Sequence, residues 1–203
     1  MLRQQYALVS LGLFRNQKIV LNFDETWVPQ MDFRRMKWRA PGSTNSVPMK
    51  MVAPRISLVV AIDTLGNMYA CFTQANTDSK VMGLFIRELV KRLDADRPTW
   101  RENTVWLHDG ARYFNNTSIQ AVLKSLRIPI VISAPYSYNL APSELVFAAM
   151  KSTHLNLEQL PTGKGNFLNV VRLVLARLRE IRPSQRLLFW HHILQHLYRY
   201  LDF

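Results

Sequence analysis

The sequence predicts an α/β domain built on a mixed five-stranded sheet, three antiparallel strands first and parallel strands after, with flanking helices and a helical C-terminal extension. Two patterns carry that prediction. Short apolar runs at 17–24, 56–62, 67–73, 104–108 and 128–132 have the length and composition of strands. Apolar residues at three-and-four spacing, the signature of a helix packed by one face, follow the third and fourth of these runs, and a further helix follows the fifth. A third observation bounds the size: 203 residues with 48% apolar side chains suit one compact domain.

Taken in order, residues 3–14 read as a short helix, and the run at 17–24 ends in acid, which places Asp24 at the tip of a buried strand. Residues 29–55 differ in kind. Arg34, Arg35, Lys37, Arg39, Lys50 and Arg55 interleave with Phe33 and Trp38 around a Pro-Gly-Ser-Thr-Asn turn, and they read as an extended basic insertion. The runs at 56–62 and 67–73 bracket Asp63-Thr64-Leu65-Gly66 and form a hairpin, so the first three strands make a meander. Asn76-Thr77-Asp78 starts a helix whose apolar face carries Met82, Phe85, Ile86, Leu89, Val90 and Leu93.

The fourth strand, 104–108, runs into Asp109-Gly110, and a helix with Ile119, Val122, Leu123 and Leu126 on one face leads to the fifth. Pro142 suits the first turn of a helix ending near Lys151, which puts Glu144 in that turn. The tail is helical from 171 to 181, breaks at Pro183, and restarts with Ser184 as cap before Leu187, Trp190, Leu194, Leu197 and Leu201. Three strands, helix, strand, helix, strand, helix is the ribonuclease H-like order.

Charge narrows the partners. Lys plus Arg number 26 against 14 Asp plus Glu, a formal +12, so the surface attracts phosphate backbones or anionic lipid. The apolar runs are too short to span a bilayer, there is no secretory signal, and Cys71 is the only cysteine, which points to a reducing compartment and to nucleic acid rather than membrane.

In so basic a chain, acids that end apolar strands need an explanation, because a desolvated carboxylate requires a cation or donors to stay charged. Asp24 and Asp109 both sit there. If strands one and four are neighbours and the helix of Glu144 packs beside them, three carboxylates converge, and a divalent ion resolves their repulsion. Hard oxygen ligands favour Mg2+ or Mn2+, and carboxylates can hold two ions about 3.5 to 4 Å apart for in-line displacement at phosphorus. Asp24, Asp109 and Glu144 are therefore the candidate catalytic and metal-binding residues. Glu25 points to the opposite strand face and stays outside the set, and Asp63 reads as turn chemistry. His191, His192 and His196 read as helix-surface or packing residues, since no Cys, Asp or Glu in their helix completes a zinc site.

Three blocks resemble the transposases of the mariner superfamily, whose catalytic signature is two aspartates and a glutamate: Asn22-Phe-Asp24-Glu-Thr26, Leu107-His-Asp109-Gly-Ala-Arg112, and Ala134-Pro-Tyr-Ser-Tyr-Asn-Leu-Ala-Pro-Ser-Glu144. The 34 residues between Asp109 and Glu144 match that superfamily's spacing. The chain departs from the pattern at Gly110 and Phe114, where Asn and His are usual, and at Tyr138, Ala141 and Ser143, where Pro, Asn and Ile are usual.

The resemblance implies a DDE-type catalytic domain over residues 1–160 with its basic insertion at about 29–55, and a basic helical extension over 161–203. It implies cut-and-paste transposition, with transposon ends and target DNA as partners and Mg2+ or Mn2+, two ions, as cofactor. A homodimer or higher assembly is expected on DNA, in the nucleus of a eukaryote and otherwise in the cytoplasm. No helix-turn-helix precedes Asp24, which leaves end recognition to a separate chain or to a longer product. Arg34, Arg35, Lys37, Trp38, Arg39, Lys50, Arg55 and Arg112 are the expected DNA contacts. Two alternatives stand beside this reading: a catalytically decayed or domesticated DNA-binding protein, and a ribonuclease H of the same fold.

Overall fold

The computed structural model describes residues 3–28, 56–74, 76–152 and 166–201. The basic insertion, with Arg34, Arg35, Lys37, Trp38, Arg39, Lys50 and Arg55, lies outside the described residues. Helix α1 (Arg3–Arg15) leads into β1 (Ile19–Val28), followed by β2 (Ile56–Asp63), β3 (Met68–Thr73), α2 (Ser79–Asp96), a short α3 (Trp100–Asn103), β4 (Thr104–His108), α4 (Thr117–Leu126), β5 (Ile130–Ile132), α5 (Pro142–Lys151), α6 (Asn166–Glu180) and α7 (Pro183–Arg199). The sheet order is β3-β2-β1-β4-β5, with β1–β2 and β2–β3 antiparallel and β1–β4 and β4–β5 parallel. The mixed five-stranded sheet is the one expected, and strands one and four are neighbours.

Strand alternation assigns the two faces. Leu21, Phe23, Val59, Ala61 and Trp106 pack against the apolar stripe of α2 and against Ile119 and Leu123 of α4. On the other face, Leu58, Val60 and Ile62 meet α5 and α6, while Val20 and Leu107 meet α1 and α7. Helix α7 contributes Trp190, Ile193 and Leu197 to that core, with Phe14 and Trp190 edge-to-face at 5.8 Å.

Three details differ from expectation. Asp24 is not at a strand tip, because β1 runs on to Val28, held by its ladder to β2, where Asp24 pairs with Val60 and Val28 with Ile56. Strand β5 is shorter than its apolar run and begins at Ile130. Ser184 does not cap α7: Arg182 is the N-cap and Pro183 the first helical residue, a place where the missing N–H costs nothing, and Gln185 Oε1 accepts from Arg182 N at 2.9 Å.

Asp63 closes the β2–β3 turn. Its carboxylate accepts from Leu65 N (3.0 Å), Asn67 N (2.8 Å) and Asn67 Nδ2 (3.0 Å), with Arg97 Nη2 at 3.0 Å. Gly66 completes that turn at φ +82°, a conformation glycine adopts without strain.

Candidate active site

The site grows from one rung of the parallel ladder. Asn22 and Leu107 are the last paired residues of β1 and β4. Two residues further along each strand preserves the face, so Asp24 and Asp109 project from the same side, the side against which α5 packs. Beyond the rung β1 continues on β2 while β4 ends at His108, which opens a crevice at the carboxyl end of the parallel strands. Pro142 begins α5 there and sets Glu144 in its first turn.

Asp24, Asp109 and Glu144 line a single cleft of about 580 Å³, together with Asn22, Gly110, Arg112, Tyr136 and Tyr138. Asp24 is half-buried, and Asp109 and Glu144 are exposed to the cleft. Among the described residues, no three His, Cys, Asp or Glu side chains already stand together as a metal-binding group. The acids share a cleft rather than a closed coordination sphere.

Electrostatics record the crowding. Burial, then the charge of Asp109 and, more weakly, those of Glu144 and Glu25, push the Asp24 carboxyl up to about 8, against a hydrogen bond from Glu25 N at 2.8 Å that favours the anion. Desolvation also raises the Glu144 carboxyl; Lys151, seven residues on along α5, opposes this and Asp109 adds to it. Lys151 Nζ donates to Thr26 Oγ1 at 2.6 Å, which ties the end of α5 to β1. An all-oxygen donor set with excess negative charge fits a hard divalent cation.

Several supporting groups escaped the sequence reading. Asn22, 3% exposed, donates from Nδ2 to Leu107 O (3.3 Å) and accepts at Oδ1 from Ser143 N (3.0 Å). Tyr113 donates its hydroxyl to Glu25, on the sheet face opposite Asp24, and so ties the loop after Asp109 to β1. His108 is buried, stacks on Phe114 with ring centroids 3.7 Å apart, and donates from Nδ1 to Asp109 O; desolvation lowers its pKa, against the hydrogen bond to Asp109 O and the Asp109 charge. Asn22 and His108 stood in the sequence only as members of the blocks around Asp24 and Asp109, with no role of their own, and Tyr113 carried no sign. Arg112 is exposed at the cleft, and His192 and His196 pack ring against ring on α7, 4.4 Å between centroids.

The model of the DDE superfamily endonuclease family matches residues 20–164, which contain all three acids. No curated protein sequence matches the chain. Solved structures share the fold: a Mos1 transposase paired-end complex with left transposon end has a TM-score of 0.77 at 18% identity, covering 98% of this chain and 60% of that one. The Mos1 transposase catalytic domain with Raltegravir and Mn has a TM-score of 0.73 at 16% identity, covering 98% and 90%. The Mos1 strand transfer complex has 0.72 at 19%, covering 98% and 58%. The chain thus spans about 60% of the length of the transposase in the paired-end complex.

Proposed function

Because the chain belongs to the DDE superfamily endonuclease family, we propose that it is the catalytic domain of a mariner-type DNA transposase, a metal-dependent endonuclease and strand transferase with Asp24, Asp109 and Glu144 as its catalytic and metal-binding residues. The observation that carries this reading is the convergence of the three acids on one cleft, from within β1, from just after β4 and from the first turn of α5, which lie far apart in the chain. Asp24, Asp109 and Glu144 would hold Mg2+ or Mn2+, as two ions, which would supply Lewis-acid activation of an attacking water or 3′-hydroxyl and offset charge at the leaving oxygen.

The chain's own residues supply the rest. Asp24, Asp109 and Glu144 provide oxygen ligands; His108 and Phe114 brace the backbone of Asp109, and Lys151 and Thr26 hold α5 to β1. Arg112 at the cleft meets phosphate, and the basic stretch carrying Arg34, Arg35, Lys37, Trp38, Arg39, Lys50 and Arg55 tracks the DNA backbone. The similar Mos1 structures include complexes with a transposon end, with Mn and with Mg; by likeness, DNA ends and target DNA are the partners here, in a homodimer or higher assembly, with end recognition from a further segment or chain. Among the described residues no helix is long and apolar enough to cross a membrane.

The test is metal-dependent nicking of supercoiled DNA by the full chain. Wild type cuts with Mn2+ and not with chelator, and Asp109→Asn reduces the rate by at least about a hundredfold while its melting curve stays cooperative. Undiminished cutting by that variant removes the acids from the mechanism.

A further inference from the structure

We propose that Asn22 is the N-terminal cap of α5, supplied from the neighbouring strand, and that it thereby positions Glu144 against Asp24 and Asp109; the second half rests on the metal-site reading above. The first turn of a helix presents backbone amides with no intrahelical acceptor, and a buried one must find a partner elsewhere. In α5 the first is absent because Pro142 has no N–H. The N-cap residue is Ala141, whose methyl group accepts nothing. Glu144 N turns back to Ala141 O at 3.1 Å. There remains Ser143 N, on a residue fully shielded from water, and its acceptor is Asn22 Oδ1 at 3.0 Å.

The geometry admits one orientation of the Asn22 amide. Nδ2 donates to Leu107 O, so Oδ1 must face Ser143 N; a flipped amide would set carbonyl against carbonyl and N–H against N–H. A carboxylate in its place would lose the donor to Leu107 and add a charge to an already crowded cleft. The three attachment points of this one side chain also locate the three acids. Asp24 is two residues along the same strand, Asp109 two residues beyond Leu107, and Glu144 is adjacent to Ser143. Asn22 therefore acts as a positioning residue, through the start of α5 rather than on the reacting atoms.

The decisive comparison uses the full chain as wild type, Asn22→Ala, and Asn22→Ala combined with Ala141→Asn, which restores an acceptor for the same amide from the ordinary N-cap place. Two readouts are taken: hydrogen exchange at the Ser143 amide without metal, and Mn2+ affinity by electron paramagnetic resonance. Asn22→Ala is expected to speed exchange at Ser143 and to weaken Mn2+ binding by about tenfold or more. Adding Ala141→Asn returns exchange and affinity to within about threefold of wild type.

Unchanged exchange and affinity in Asn22→Ala, or no restoration in the double variant, overturns the proposal. If Asn22→Ala does not fold, the double variant decides: one that folds and protects Ser143 supports the cap, and one that fails as well overturns it. If wild type binds no Mn2+, the metal-site reading falls and with it the positioning of Glu144 for metal, while exchange at Ser143 still decides the cap.

Discussion

Replacing Asp24 with Asn separates the cost of the acid cleft from its use. The folded chain holds the Asp24 carboxyl at about 8 against an ordinary 3.8, chiefly through burial and then through Asp109. Between about pH 4 and pH 8 the folded state therefore keeps a proton that the unfolded state has released, so stability falls as pH rises across that window, and the penalty is complete above about pH 8. The full displacement corresponds to a ceiling of roughly 6 kcal/mol, which water and relaxation in an open cleft reduce to about 2–3 kcal/mol. Asn copies the protonated carboxyl and keeps an oxygen for Glu25 N. In urea unfolding followed by far-ultraviolet circular dichroism without metal, Asp24→Asn should match wild type below about pH 4 and exceed it by about 2–3 kcal/mol near about pH 9. Saturating Mg2+ should reverse the order, since an ion bound only to the folded state adds about 2.7 kcal/mol at a hundred times its dissociation constant and the variant lacks a ligand. Equal stability of the two proteins at the higher pH, or an equal response to Mg2+, would refute the reasoning.

Three further perturbations probe the surroundings. Tyr113→Phe removes the donor to the half-buried Glu25 and should cost about 1–2 kcal/mol in urea unfolding, growing as pH rises and the Glu25 carboxyl, which burial pushes up, ionises; a neutral result means the pair contributes no net stability. Asp63→Ala deletes the acceptor of three hydrogen bonds and should destabilise by about 2–3 kcal/mol while leaving the Mg2+-dependent rise in melting temperature intact, and loss of that rise would make Asp63 part of the metal site. Converting Arg34, Arg35, Lys37 and Arg39 to Ala should lower affinity for all duplex sequences alike and reduce the slope of log K against log salt by about 0.9 for each lost phosphate contact; a sequence-selective loss would indicate base contacts instead.

The three candidate acids stood out because a carboxylate closing an apolar run, at Asp24 and Asp109, or in the first turn of a helix, at Glu144, is conspicuous in a chain otherwise short of acids. The sheet was legible because alternation and apolar runs report which face is buried. What escaped the sequence depends on partners distant along the chain. The extension of β1 past Asp24 through the polar Glu25 and Thr26 is set by a ladder to β2, which no local propensity reveals. Asn22 finds Leu107 85 residues away and Ser143 121 residues away, so nothing near it distinguishes it from a misplaced polar residue.

Supporting groups are also interchangeable in a way that ligands are not. Any acceptor that reaches Ser143 N will serve α5, whether it comes from the N-cap residue or from the next strand, whereas in the proposed metal site nothing but another oxygen ligand could replace Asp109. A departure from the family pattern at Ala141 therefore carries little information about activity once Asn22 occupies that bonding position. The same departure at a carboxylate would carry a great deal, and all three carboxylates are retained.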